Sequence, residues 1–323
     1  DLGGFAFRNL DEPCKNSFDD REGNRYITCI NADISDADSN LGIVTARGNW
    51  KGKTKGGLVR TRDNFKTFER ISMPFGINAE IDRKLHEIEN PNVNAGWVAM
   101  SPDGINIVWS VADGIRLPVE LVIISNDGGK NFQKAGVFDL KGNPVKKGYL
   151  KVFSDRTGND LFYGFGGASE IYVSRDGGKN FYQKQPEETF PICDFGYIDT
   201  ANKTEVRGEG GKSGVFYMAL GDAGLYKFCY DTGTDEIHVK RLTDAKDACY
   251  RMGLGVIGEC REYLTEEKAI YFCGRLDGEY GFYRTLDEGK SYERLNRDDQ
   301  MYGEINSIDG DKRKFGRFFL ATG

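Results

Sequence analysis

The sequence has little histidine and no paired cysteines, and this scarcity limits the chemistry that the chain can perform. Its 323 residues include only 2 histidines, His86 and His238, so a histidine-rich metal site is excluded. A Ser-His-Asp triad would depend on one of those two isolated residues. The 7 cysteines are widely spaced and contain no Cys-x-x-Cys, which indicates neither a zinc site nor a disulfide framework. If the protein is a hydrolase, carboxylates must carry the proton transfers.

Long apolar runs and basic clusters are also missing. No apolar stretch approaches the roughly 18 residues that would span a bilayer, so no membrane partner is predicted. The net charge of -6 and the scattered Lys and Arg residues argue against a nucleic-acid partner, because phosphate binding requires clustered cations. With 39% hydrophobic residues the chain is predicted to be globular, as one large β domain or two smaller ones. It opens on Asp1 rather than Met, which indicates processing or excision from a longer protein.

A polar, glycine-rich octet recurs along the chain and is the most informative feature present. The two best copies are "SNDGGKNF" at 125–132 and "SRDGGKNF" at 174–181, and weaker copies are "TRDNFKTF" at 61–68 and "TLDEGKSY" at 285–292. Their aspartates, Asp63, Asp127, Asp176 and Asp287, are separated by 64, 49 and 111 residues. Since the last interval equals about two units, a fifth, eroded copy is predicted near residue 230.

Short strand-like segments surround each octet in the same order. Around Asp127 they are "GWVAM", "INIVWSV", "ELVIIS" and "FQKAGVF", separated by turn residues, and similar series surround Asp176 and Asp287. Units of about 45 to 55 residues, each predicted to form a four-stranded antiparallel sheet, are typical of an all-β propeller.

The octet itself has the composition of a tight turn between the third and fourth strands of a blade. Its aspartate can accept hydrogen bonds from backbone amides, its glycines can adopt positive φ, and its final aromatic residue can enter the core between blades. We therefore predict a structural role for the four octet aspartates rather than a catalytic one, because propeller ligands usually bind at the axial face.

Octets of this type resemble the Asp boxes, or BNR repeats, of sialidases, sortilin-like receptors and several glycoside hydrolases, and so indicate a fold more than an activity. Other segments are more selective. They are "DLGGFAFRNLD" at 1–11, "NAGWVAMSPDGINIVWS" at 94–110, "GDAGLYKF" at 221–228, "GEYGFYRTLDEGKSYERLN" at 278–296 and "GEINSIDGDKRKFGRFFLATG" at 303–323. In this order they resemble the C-terminal half of glycoside hydrolase family 74, the xyloglucanases and oligoxyloglucan reducing-end-specific cellobiohydrolases.

This resemblance implies an architecture. Family members consist of two seven-bladed propellers that face each other across an open cleft, where a β-glucan such as xyloglucan is hydrolysed with inversion. Residues 1–323 are accordingly expected to form a single seven-bladed propeller of four-stranded blades, the C-terminal half of a secreted two-propeller protein. The expected partners are the glucan and an N-terminal propeller of the same protein, and no cofactor or metal is expected.

The resemblance also implies a catalytic residue. In the family, each propeller supplies one catalytic aspartate in an Asp-x-Gly-Gly context, and the only such context here is "DLGG" at Asp1. Asp1 is thus the expected general acid. An inverting enzyme needs a second carboxylate roughly 6.5 to 9.5 Å away. Either that carboxylate belongs to a part of the protein outside this chain, which is the favoured interpretation, or the chain is a relative that kept the scaffold without the activity.

Aromatic side chains that could stack on sugar rings are few. Trp50, in the loop-like "ARGNWKGKTKGG", is the best candidate, and Tyr280, in a predicted hairpin turn, is a weaker one. Trp109 lies in a strand, where burial is expected, although a strand end facing the cleft could expose it. Asp33 and Asp36 could face the cleft too, but Asp- and Asn-rich turns are common, so a structural role is favoured for both.

Two other function classes remain open. One is a non-catalytic carbohydrate-binding or protein-binding propeller, which a single catalytic-type carboxylate would suit. The other is a sialidase-like enzyme, which is disfavoured because no early "RIP"-like arginine motif is present to begin the three-arginine cluster that binds sialic acid.

Overall fold

The computed structural model of the chain describes residues 28–48, 56–71, 96–112, 118–145, 150–166, 170–190, 204–258 and 268–322, together with residues 7, 9, 11–14, 18 and 26. Within these ranges the chain forms 23 β-strands and no α-helix. The strands group into four four-stranded antiparallel sheets, one five-stranded sheet and one two-stranded sheet.

The bounds of the strands follow the sequence order. The first blade contains β1 (Thr28–Ile34), β2 (Gly42–Arg47), β3 (Gly57–Thr61) and β4 (Glu69–Arg70), and the second contains β5 (Trp97–Met100), β6 (Ile107–Ala112), β7 (Pro118–Ser125) and β8 (Gln133–Lys134). The third contains β9 (Gly136–Phe138), β10 (Lys151–Ser154), β11 (Phe162–Phe165), β12 (Ile171–Ser174) and β13 (Asn180–Lys184). The fourth contains β14 (Thr204–Gly208), β15 (Val215–Leu220), β16 (Leu225–Asp231) and β17 (Glu236–Arg241). The fifth contains β18 (Ala248–Val256), β19 (Lys268–Leu276), β20 (Glu279–Thr285) and β21 (Glu293–Arg294), and β22 (Ile305–Gly310) and β23 (Phe318–Thr322) form the two-stranded sheet.

Each blade is a meander in which successive strands pair antiparallel. The exception is β9, which pairs in parallel with β13 and adds a fifth strand to the outer edge of the third blade. The prediction of an all-β propeller with four-stranded antiparallel blades is confirmed. Seven blades were predicted; the described residues form five blades, of which the third has five strands and the others four, and the β22–β23 sheet.

Burial along the strands explains why the sequence forms such sheets. The second strands β2 and β15 are buried at every residue, as expected for strands covered on both faces by neighbouring blades. The outer strand β17 instead alternates between exposed and buried residues up to its last position, the pattern of a strand with one solvated face. The position of a strand within its blade is thus encoded in its hydrophobic pattern.

The hydrophobic core consists of layers between blades. Ile43 and Leu58 of the first blade pack with Val98 and Ile123 of the second, and similar layers join each later pair of sheets. A smaller layer joins the fifth blade to β22. Because each blade buries its apolar faces only against its neighbours, the blades depend on one another for stability.

The antiparallel meander gives the propeller two faces that carry different loops. The turns after each first strand and the octet turns, between each third and fourth strand, lie on one face, which we name the octet face. The hairpins between second and third strands, such as Asp277–Gly278 and Gly221–Gly224, lie on the opposite face together with the connections between blades; we name it the hairpin face. The first strands β1, β5, β10, β14, β18 and β22 contact one another in order around the axis.

Candidate functional site

The four octets form the same hydrogen-bonded turn. Oδ1 of each aspartate accepts a hydrogen bond from the Ser or Thr hydroxyl two residues earlier, at 2.8–3.0 Å, and from the backbone N–H four residues later, at 2.9 Å. Oδ2 accepts a bond from the side chain of that later residue, at 2.6–2.7 Å; these residues are Thr67, Asn131, Asn180 and Ser291. The seventh residue of each octet therefore has a side chain that can donate a hydrogen bond. No role was predicted for this position from the sequence.

Two successive residues of each octet adopt positive φ. Gly177 and Gly178 have φ of 73° and 88°, and Asn64 and Phe65 occupy the equivalent positions of the first octet at 57° and 59°. Positive φ is rare for a bulky residue such as Phe. In both turns the Ser or Thr hydroxyl accepts the N–H of the second of these residues at 3.0 Å, which helps to hold the backbone there.

These contacts keep the octet carboxylates ionised. Hydrogen bonds from Thr67 hold the pKa of Asp63 at about 2, and those from Ser291 do the same for Asp287. Burial raises the pKa of Asp127, but the hydrogen bonds from Asn131 outweigh this effect and bring it to about 2. A carboxylate that is ionised and surrounded by donors has little capacity for proton transfer at neutral pH, so its chemistry suits a turn and not a catalytic acid.

A cavity of about 1030 Å³ lies on the axis, surrounded by residues of all six first strands. Its charged lining, among the described residues, comprises the acidic Asp33, Asp36 and Asp309 and the basic Lys151, Arg156, Arg207, Arg251, Lys268 and Lys312. The convergence of nine charged side chains on one cavity makes the axis the first candidate functional site.

Arg156 connects three blades at the octet end of this cavity. Its Nη1 donates to Asp33 Oδ1 at 3.0 Å and its Nη2 forms an ion pair with Asp36 Oδ2 at 2.6 Å and donates to the Ile34 carbonyl at 2.8 Å. Asp33 Oδ2 accepts the N–H of Met100, on β5, at 2.9 Å. The guanidinium of the third blade is thereby bonded to the first blade, which is bonded in turn to the second.

Burial and charge pairing act in opposite directions on the pKa values of this group. It raises the pKa of the Asp36 carboxyl, although the Arg156 cation opposes the change. Burial lowers the pKa of Arg156, but the two carboxylates outweigh it, so the net direction is upward. Asp33 lies near the end of β1 and Asp36 in the bend that follows it, and both line the axial cavity.

Two further pairs line the cavity. Asp309 Oδ1 accepts hydrogen bonds from Lys312 Nζ at 2.9 Å and from the N–H of Leu254 at 3.1 Å, which joins β22 to β18. The ammonium of Lys151 lies 4.1 Å from the centroid of the Trp97 ring, a cation-π contact between β10 and β5. The Asp309–Lys312 pair is local, whereas the bond to Leu254 and the Lys151–Trp97 contact join residues that become neighbours only when the blades are arranged around the axis.

Tyr280 lies away from this cavity, at the start of β20 on the hairpin face. It is half-buried, and its ring centroid is 6.4 Å from that of Tyr250 with the planes inclined by 31°. Burial, with a smaller contribution from the nearby Cys273, raises the pKa of its hydroxyl to about 12. The structure thus does not bring Tyr280 together with Asp33 and Asp36.

The chain is similar in sequence and in structure to proteins named xyloglucanase. A xyloglucanase of a Paenibacillus species is 31% identical over 229 residues, which is 70% of this chain and 19% of that protein. A xyloglucanase of Acetivibrio thermocellus is 26% identical over 236 residues, 72% of this chain and 24% of that protein. The crystal structure of a xyloglucanase of glycoside hydrolase family 74 (GH74) from Xanthomonas campestris superposes with a TM-score of 0.64 and 19% identity, covering 97% of this chain and 36% of that one.

The chain is a relative of the GH74 xyloglucanases. It spans 19–28% of the length of the curated relatives that it matches. No protein-family model matches the sequence.

The residues expected from the GH74 resemblance have different outcomes in the structure. Asp1 and Trp50 lie outside the described residues. Trp109 has an exposed fraction of 0% and belongs to the hydrophobic layer between the first two blades. Its position in β6, the second strand of its blade, encloses the ring between two sheets, so the structure does not support Trp109 as a sugar-stacking residue. Of the three aromatic candidates, Tyr280 alone is described and partly accessible.

Within the described ranges, no group of three or more His, Cys, Asp or Glu side chains has the arrangement needed to hold a metal ion. No helix of sufficient length and apolarity to cross a bilayer occurs in the same ranges. His238 lies on the exposed strand β17, with its Nδ1 3.2 Å from Glu187 Oε2.

Proposed function

We propose that this chain is part of an inverting endo-β-1,4-glucanase that acts on xyloglucan, contributing Asp1 as general acid and one side of the glucan-binding cleft. The observation that carries the proposal is the match to proteins named xyloglucanase over 70% of the chain but only 19% of the Paenibacillus relative. The remaining length of such a protein is enough for the second propeller and second carboxylate that the reaction needs. A seven-bladed propeller and an extracellular location follow from the same resemblance and belong to the proposal.

In an inverting hydrolysis the two carboxyls have separate tasks. The protonated acid, here Asp1, would deliver its proton to the leaving glycosidic oxygen while a carboxylate of the other propeller removes a proton from the attacking water. The octet carboxylates and the two at the axis fit these tasks poorly. Those of the octets are ionised and surrounded by donors, and Asp33 and Asp36 are bound by Arg156. The assignment of the acid to Asp1 rests on the resemblance of "DLGG" to the catalytic context of the family.

The direct test is to incubate the protein that carries both propellers with xyloglucan and to follow the new reducing ends by proton NMR. Inversion of the β-linkage predicts that the α-anomer accumulates first and then mutarotates. Initial formation of the β-anomer would contradict the inverting mechanism, and an absence of new reducing ends would contradict the enzyme assignment.

A non-catalytic carbohydrate-binding or protein-binding propeller is the alternative. It is favoured by the presence of a single Asp-x-Gly-Gly context, "DLGG", in the chain. This alternative predicts that the protein with both propellers retains xyloglucan, or a protein ligand, in a binding assay without releasing new reducing ends.

A further inference from the structure

Three tyrosines gather on the hairpin face at the end of the fifth blade. Tyr250 packs against the buried cluster of Cys273, Phe282 and Ile305, and Tyr302 stacks on Phe282 with ring centroids 6.0 Å apart and planes inclined by 22°. We name Tyr250, Tyr280 and Tyr302 the tyrosine patch. Tyr302 is 53% exposed, whereas the rings of the other two are half-buried, so the patch presents aromatic surface on a firm apolar base.

A β-bulge directs one of these rings into the patch. The pairing of β18 with β19 runs regularly except between Cys249 and Arg251, where Tyr250 is the extra residue. A bulge re-aims the side chain of the residue it inserts, and bulges are enriched beside functional sites. Without the bulge, the side chains of β18 would alternate regularly between the two faces of the sheet, and the Tyr250 ring would no longer lie beside Tyr280.

The polar groups around the patch include two carboxylates, and Arg294 Nη2 donates to the Tyr280 carbonyl at 3.1 Å. The Tyr250 hydroxyl donates to Asp222 Oδ1 at 3.1 Å, and the exposed Glu279 adjoins Tyr280, with its carboxylate 3.6 Å from Arg294 Nη1. An ionised carboxylate can accept hydrogen bonds but cannot donate them. A ligand matched to this rim would present several hydroxyl donors around an apolar face, as a neutral pyranose ring does.

We propose that the tyrosine patch is a saccharide-binding site that takes pyranose rings of a neutral glucan, with Asp222 and Glu279 accepting hydrogen bonds from sugar hydroxyls. A pyranose ring can satisfy these exposed carboxylates through its own hydroxyls, whereas a protein surface would have to place a donor opposite each of them. The choice of xyloglucan as the sugar rests on the proposed function, whereas the presence of a saccharide site does not.

The test measures binding of a xyloglucan oligosaccharide by isothermal titration calorimetry to the protein that carries both propellers, with Asp1→Asn as background so that the ligand is not hydrolysed. Tyr302→Ala and Tyr250→Ala are each expected to weaken binding by roughly 5- to 10-fold, the effect of losing one well-packed aromatic contact. Tyr250→Phe, which keeps the ring but loses the bond to Asp222, is expected to weaken it less than Tyr250→Ala.

The matched control is Tyr182→Ala, since Tyr182 is 45% exposed but lies on β13 in another blade. This variant should bind the oligosaccharide with the same affinity as the background protein. If Tyr250→Ala fails to fold, Tyr302→Ala decides the matter because its ring is more exposed. Unchanged affinity in Tyr302→Ala, or an equal loss in Tyr182→Ala, would overturn the patch while leaving the hydrolysis proposal intact. The converse outcome is that the protein binds the oligosaccharide, loses that affinity only in the patch variants, and yet releases no new reducing ends from xyloglucan. That result would support the saccharide site and contradict the proposed hydrolysis.

Discussion

At the scale of single residues, the four octet aspartates make the same hydrogen bonds through their two carboxylate oxygens. Each carboxylate joins the end of a third strand to the start of a fourth by accepting from the hydroxyl before it and the amide after it. The identity of the donor at the seventh octet position varies between Asn, Thr and Ser, but the 2.6–2.7 Å contact to Oδ2 is kept. The role of these aspartates is to form the turn, since their carboxylate oxygens accept hydrogen bonds from groups within it.

This role predicts a pH dependence of stability for Asp287→Asn. The folded pKa of Asp287, about 2, lies below the value of about 3.9 for an aspartate in an unfolded chain. The stability that its ionisation contributes is therefore complete above the unfolded pKa and is lost as the pH falls from about 4 towards 2. The difference in urea midpoint between wild type and Asp287→Asn should be constant above about pH 5 and should shrink below pH 4. A difference that stays constant down to pH 2.5 would show that the carboxylate charge has no part in fastening the turn.

The residue scale also separates what the sequence could predict from what it could not. The octet aspartates were predictable because their partners lie within four residues of them. Arg156 and Asp33 are 123 residues apart, and their ion pair depends on the order of the blades around the axis. No local pattern marks such a pair, so the axial cavity was not predicted. Trp109 was offered as a stacking residue because a strand-end exposure was open from the sequence, and the packing of two blades over β6 removes that option.

At the scale of elements, the octet turn of the third blade also contacts the neighbouring second blade. A Cβ added at Gly178 would overlap the side chain of Val108, on β6 of the second blade, and crowd Ile124, whereas a Cβ at Gly128 would meet nothing within 4 Å. Both glycines have positive φ, of 88° and 71°. The octet turn of the third blade is therefore a packing element between blades as well as a connection.

This difference predicts unequal costs for two chemically identical substitutions. Gly128→Ala should lower the free energy of unfolding by about 1 kcal/mol, from the unfavourable φ alone. Gly178→Ala should lower it by about 2 to 4 kcal/mol, because overlap with the adjacent blade adds to the same strain. Chemical denaturation of the two variants side by side provides the measurement. Equal losses would contradict the close contact between this turn and the second blade.

At the scale of the whole molecule, the blades are joined by apolar layers and by the polar contacts of the axis. The meander of each blade was predictable from short hydrophobic runs and turn residues, and the eroded fifth copy corresponds to the β16–β17 hairpin. The number of blades was not predictable in the same way, since it was taken from the family rather than from the repeats. The described residues give five blades, the third of them with five strands, and the β22–β23 sheet.

The axial contacts predict a cost for Arg156→Met. This change removes a guanidinium that is bonded to two carboxylates and a carbonyl of the first blade, and it leaves Asp33 and Asp36 close together without their cation. The expected loss is about 1 to 3 kcal/mol in the free energy of unfolding. Arg297→Met is the matched control, because its guanidinium pairs with Asp299 at an exposed site, and it should change stability by less than about 0.5 kcal/mol. Equal effects of the two variants would mean that the axial contacts contribute nothing to joining the blades.

The proposed catalytic role of this propeller depends on Asp1, the first residue of the chain. In the protein that carries both propellers, Asp1→Asn should reduce kcat on xyloglucan by at least about 100-fold, because positioned general acids contribute roughly 10²- to 10⁴-fold. Its melting temperature should stay close to that of wild type. Glu187→Gln, which neutralises a carboxylate that is 73% exposed, should leave kcat unchanged. A kcat for Asp1→Asn within a few-fold of wild type would contradict the assignment of the general acid and, with it, the proposed role of this propeller in catalysis.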